Sequence, residues 1–214
     1  MSLHNAATST HERLTCGLAT FPLKVARGYA LRLGASKRFG MRIGTDDIEA
    51  AYRRIPVRRP ELTVVCVYDP RPDTRDEDRI RFFVLPGFNF GLVSAVLAFN
   101  SFPRAMIHFA RLLLGVPCDH FYDDAVVVDI TEHATSAQVA LRLLFMLVGV
   151  PFADDKHKEM RAVGPYLGII TDLSSLEADG VVRLRIKPER QQKLIRDIEV
   201  VLQSGILTSG DAGK

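Results

Sequence analysis

Two periods of apolar and polar residues alternate along this chain. Short runs rich in β-branched and aromatic residues read as strands at residues 39–43, 62–68, 80–85, 125–130, 166–171 and 181–186. Stretches with helical spacing lie between them. Residues 14–38 carry Lys and Arg scattered among small and apolar side chains, which predicts a basic surface helix. Residues 45–52 favour a short helix through Ile48, Glu49, Ala50 and Ala51, with Asp47 at its junction with the preceding strand. From Phe90 or Gly91 to about Leu114 the chain is apolar almost all round, so this helix is expected to pack on most sides, and Pro103 to kink or divide it. Thr131 or Thr135 caps another helix, which Gly149 and Pro151 stop. Pro188 opens a last amphipathic helix with Leu194, Ile198, Val201 and Leu202 on one side. Residues 69–78 read as a loop and 174–180 as a turn, and 154–161 are a polar stretch holding Lys156 and Lys158. Residues 1–13 and the last five read as loose ends.

The order is strand, helix, then three hairpins alternating with three helices. Returning strands with helices banked on one face predict an α+β fold with an antiparallel sheet, laid out like a split βαβ or ferredoxin-like core.

Composition narrows the field only a little. The chain has 214 residues, enough for one ordinary domain with a proper core. Its net charge of +3 permits a polyanionic partner without demanding one. Cys16, Cys66 and Cys118 are odd in number and far apart, which argues against both a disulfide framework and a zinc site. The longest apolar run, residues 143–153, is much shorter than the ~20 residues of a membrane span. An intracellular protein, cytoplasmic or nuclear and without a membrane partner, is the expectation.

The chemistry concentrates at Phe121-Tyr122-Asp123-Asp124, which is followed by a valine run. This pattern predicts a tight turn between two strands with both acids at or beside it. Adjacent carboxylates repel, and hard oxygen ligands favour Mg2+ or Mn2+. A solvated hairpin tip is the plainer reading. Asp47 ends another short strand. If the two strands are neighbours, Asp47, Asp123 and Asp124 converge on one edge of the sheet and raise one another's pKa unless a metal neutralises them. Four arginines, Arg53, Arg54, Arg58 and Arg59, form a local positive patch that suits phosphates or simply solvent.

In order and spacing these residues resemble the palm of a retrotransposon-type reverse transcriptase, an RNA-directed DNA polymerase. The resemblance spans roughly residues 40–200. The first catalytic carboxylate of that family falls on Asp47, with its alanine and aromatic at Ala51 and Tyr52. Its paired-aspartate signature falls on residues 121–124, and its Phe-Gly helix opening on Phe90 and Gly91. Its lysine falls on Lys156, with Lys158 as second candidate, and its aromatic-Leu-Gly turn on Tyr166, Leu167 and Gly168.

The resemblance implies a nucleotidyltransferase that joins a dNTP to a primer 3′-hydroxyl on an RNA or DNA template. Asp47, Asp123 and Asp124 would be both the catalytic and the metal-binding residues, with Mg2+ or Mn2+ as cofactor. Tyr52, Phe90, Gly91 and Lys156 would bind substrate, with Tyr52 excluding a 2′-hydroxyl. Tyr166, Leu167 and Gly168 would hold the primer. Residues 1–38 would be a short extension or a remnant of fingers, 39–187 the palm, and 188–214 the start of a thumb or connection. Other domains of a retroelement polyprotein would be partners. The alternative is a catalytically inactive remnant that binds nucleic acid or another protein.

Overall fold

The computed structural model describes residues 14, 16–34, 37–88 and 93–207. The expectations for residues 1–13, for Phe90 and Gly91, and for the last five residues lie outside these. The described residues form a mixed α+β fold with three open sheets.

The central sheet has four antiparallel strands. β1 (Met41–Asp47) pairs on one side with β5 (Asp124–Ile130), from Met41 opposite Ile130 to Asp47 opposite Asp124. β4 (Cys118–Phe121) borders β5, and β6 (Lys158–Arg161) borders β1, giving the order β4-β5-β1-β6. β2 (Val64–Tyr68) and β3 (Ile80–Val84) form a separate hairpin. β7 (Val163–Tyr166), β8 (Ile169–Asp172) and β9 (Arg183–Ile186) form the third sheet. The helices are α1 (Phe21–Leu33), α2 (Val93–Leu113), α3 (Ala134–Leu147), the single turn α4 (Leu176–Asp179) and α5 (Pro188–Ser204).

Successive residues of a strand point to opposite faces, and β5 is apolar on both. Ala125 and Val127 join Phe99 and Ala110 of α2 and Leu141 and Phe145 of α3 in one core. Val126 and Val128 join Met41 and Ile43 of β1, Phe21 and Ala26 of α1, and Tyr166 in a second core. Burying each large side chain such as Phe99 or Phe145 contributes about 1.5–3 kcal/mol. The expectation of helices on one face is therefore corrected. α2 and α3 cover one face, while α1 and residues of the third sheet cover the other.

Other local expectations change for identifiable reasons. The helix expected over residues 45–52 shrinks to a 3-10 turn, Ala51–Arg54, because β1 runs on through Asp47. The backbone there is engaged on both sides: Ile48 N donates to Asp123 O at 2.9 Å, and Ala153 N to Asp47 O at 2.9 Å. Residues 158–161, part of a stretch marked in the sequence only by its polarity, form β6; only Met160 of this polar edge strand is buried. Residues 166–171 are not one strand, because Leu167 and Gly168 both take positive φ and turn β7 back into β8. α2 runs unbroken past Pro103, and its far face is open, with Leu112 and Leu113 exposed. Among the described residues, no helix is long and apolar enough to cross a membrane.

Candidate functional site

The hairpin tip is as tight as its sequence suggests. Phe121 faces Asp124 across the ladder, so Tyr122 and Asp123 alone make the turn, and Tyr122 adopts φ +54°. β1 ends beside it. Asp47 is the direct cross-strand partner of Asp124. Opposite residues of an antiparallel pair share a face, so these two carboxylates stand on the same side of the sheet. Asp123 belongs to the adjoining turn, held to β1 by its carbonyl on Ile48 N. Residues far apart in sequence thus meet at one end of the central sheet.

A cation meets them there. Lys156 closes the 3-10 turn Asp154–Lys156, and its Nζ donates to Asp47 Oδ1 at 2.7 Å. That bond raises the lysine pKa further. Asp123 is held above the usual carboxylate range first by burial and then by the Asp47 charge. Asp124 is raised by burial, then by Asp123 and Asp47, with Lys158 and Lys156 pulling the other way. The acids therefore feel one another as a concentration of negative charge.

As hard oxygen donors, the three carboxylates suit Mg2+ or Mn2+ chemically. Among the described residues, however, no group of three or more His, Cys, Asp or Glu side chains is arranged to hold a metal ion. Asp47 has one oxygen on Lys156. The donor chemistry fits a divalent cation; the side-chain arrangement is that of a lysine-neutralised carboxylate.

The other candidates fall in different surroundings. Tyr52 is buried in the helix-side core, its ring centroid 4.6 Å from that of Phe99. Burial and the nearby Asp123 charge raise its phenol pKa. Tyr166 is buried in the second core, where its hydroxyl has no hydrogen-bond partner among the described residues. Desolvation, then Asp119 and Asp124, push that phenol up. Leu167 and Gly168 form the partly exposed turn. A Cβ on Gly168 would collide with the Arg190 guanidinium of α5, so the missing side chain makes room for that contact. In the arginine patch, Arg54 is ion-paired with Glu49 and Arg59 with Glu61, which leaves less net positive charge than the sequence suggests.

A second constellation has no counterpart in the sequence reading. Asp46, one residue before Asp47, points to the opposite face and is buried. Gln138 Nε2 donates to its Oδ2 at 2.9 Å, while Arg142 Nη1 and His157 Nδ1 lie 2.5 and 2.7 Å from its Oδ1. Its partners are remote in sequence. The one available signal was the pair Gln138 and Arg142, four apart on a helix otherwise suited to burial.

No protein-family model matches the chain, and no curated protein matches it.

Proposed function

We propose that this chain is the palm of an RNA-directed DNA polymerase, transferring a nucleotide from a dNTP to a primer 3′-hydroxyl on an RNA or DNA template. What supports the reading is the cross-strand pairing of Asp47 with Asp124, with Asp123 in the adjoining turn and Lys156 on Asp47. Each motif that carries the resemblance and lies at this sheet end contributes a charged side chain to it.

Asp47, Asp123 and Asp124 would hold Mg2+ or Mn2+. When bound, the metal supplies a Lewis acid that lowers the pKa of the attacking hydroxyl and neutralises charge on the phosphates. The raised carboxylate pKa values give the site its appetite for positive charge. Lys156 is more than half exposed and flexible enough to pass from Asp47 to an incoming triphosphate, where it would offset developing negative charge. Leu167 and Gly168 offer a rigid backbone turn to a primer strand. An intracellular location and retroelement partner domains belong to the same reading.

Primer extension on an RNA template with Mg2+ or Mn2+ is the test. Extension by the wild-type chain that Asp123→Asn abolishes is the expected result; no extension, or extension indifferent to Asp123→Asn, overturns it.

A second reading has its own observation. The described acids are not arranged as a metal-holding group, and Lys156 already neutralises Asp47. That favours a catalytically inactive remnant that binds nucleic acid. Salt-sensitive binding of primer–template without extension would select it.

A further inference from the structure

Lys156 lies on a short turn at the sheet edge, and something must hold that turn against Asp47. Its backbone meets β1 on both sides, with Ala153 N on Asp47 O at 2.9 Å and Lys158 paired with Thr45, while inside the turn Lys156 N reaches only Ala153 O at 3.3 Å and His157 N Asp154 O at 3.2 Å. A second restraint, on the side chains of the turn, comes from the other face of the sheet. Arg142, on α3, has a guanidinium fork that spans two carboxylates. Its Nη1 binds Asp46 Oδ1 at 2.5 Å, and its Nη2 binds Asp154 Oδ1. Asp46 is almost wholly inaccessible, with 1% of its side chain exposed, whereas Asp154 is 92% exposed. One arginine therefore ties the first residue of the lysine-bearing turn to a fixed, buried anchor on β1.

The residue after Lys156 is tied to the same anchor. His157 Nδ1 lies 2.7 Å from Asp46 Oδ1 and 3.3 Å from Arg142 Nη1. Gln138 Nε2 completes the set, donating to Asp46 Oδ2 and, at 2.9 Å, to the carbonyl of Lys158. Residues 154, 157 and 158 are thus all fastened from the helix side. Only Lys156, between them, reaches the opposite side to Asp47.

We propose that Arg142 is a positioning residue: bridging Asp46 and Asp154, it holds the 154–157 turn so that the Lys156 ammonium is delivered to the Asp47 carboxylate. The role of Lys156 in catalysis rests on the polymerase reading above; the delivery itself does not. A guanidinium is needed because it offers two parallel donor edges, whereas lysine offers a single point charge. Adjacent positions on β1 divide the work. Asp46 anchors the clamp on one face, and Asp47 receives its product on the other.

The test combines two measurements on Arg142→Ala, with Asp154→Ala as a second variant that alters only an exposed side chain. The first is amine acylation of intact protein, read lysine by lysine by mass spectrometry. Lys156 should label severalfold faster in both variants, more so in Arg142→Ala, with Lys24 and Lys187 unchanged. Unchanged labelling of Lys156 in both overturns the proposal, whether or not the protein polymerises. The second is single-nucleotide primer extension. Arg142→Ala should lower kcat about tenfold or more, as misplacement of a positioned group does, with KM for primer–template unchanged. In a Lys156→Ala background, Arg142→Ala should cost nothing further. A full additional loss there means that Arg142 acts by another route and overturns the proposal. If the wild type extends no primer, the polymerase reading fails while the labelling still decides the clamp.

Discussion

The central sheet and the β2–β3 hairpin are built from the same kind of sequence and meet opposite fates. Both are rich in valine. In β5, five consecutive residues from Ala125 to Asp129 are buried, because α2 and α3 cover one face and α1 the other. In the hairpin, Val64, Tyr68, Ile80, Phe82 and Val84 are all exposed. The ladder register puts Val64 opposite Val84, Cys66 opposite Phe82 and Tyr68 opposite Ile80, so one face of the hairpin is apolar but for the Tyr68 hydroxyl, and it is exposed. Strand-forming composition selects the backbone conformation; burial depends on whether a second layer arrives.

The two regions should respond very differently to truncation. Phe99 is fully buried, and Phe99→Ala should lower stability by about 3–5 kcal/mol in urea unfolding. A loss under 1 kcal/mol would mean that the helix-side core is loose. Next comes Gly44→Ala in β1. An added Cβ would stand 2.7 Å from Gln138 Nε2, and that amide is fixed by its bonds to Asp46 and Lys158. A cost of about 1–3 kcal/mol is expected from overpacking.

A smaller effect, opposite in sign, is expected at the sheet's open end. The folded protein holds Asp123 and Asp124 above their ordinary range, so their ionisation opposes folding. This destabilisation is present in full at neutral pH and vanishes once pH falls below the unfolded carboxylate value of about 3.9. In metal-free buffer, Asp124→Asn should therefore raise Tm at pH 7 and give no gain at pH 3. Equal Tm values at both pH values would show that the acids do not oppose one another. The smallest effect belongs to the hairpin. Phe82, 69% exposed, should tolerate replacement by Ser within about 0.5 kcal/mol while the protein becomes less prone to associate, as light scattering would show.

How far the sequence could be read follows the same division. The turn at Tyr122 and Asp123 was legible because an aromatic run, two acids and a valine run are all local signals. Pro188 and the apolar spacing after it likewise marked α5. β6 was hidden because an edge strand with one buried residue has no alternating pattern to find. Phe21, Pro22 and Ala26 are buried in α1, which its scattered basic residues disguised as a surface helix. Within the site, Asp47 and Lys156 were named, yet their direct contact depends on the β1–β6 pairing. Of the Asp46 network only the spacing of Gln138 and Arg142 left a trace in the sequence, since Gln138, Arg142 and His157 approach Asp46 only through tertiary packing.

Asp46 and Asp47 share one chemistry and differ only in which way the strand pleat turns them. A single residue deleted within β1 upstream of the pair would undo that division: Asp47 would turn towards Arg142, and Ile48 would take its place facing Lys156. Ile48 would thereby leave the helix-side core, and Glu49 would be driven into it. The facing of this acid pair is thus guarded by the apolar residue that follows it as well as by the carboxylates themselves.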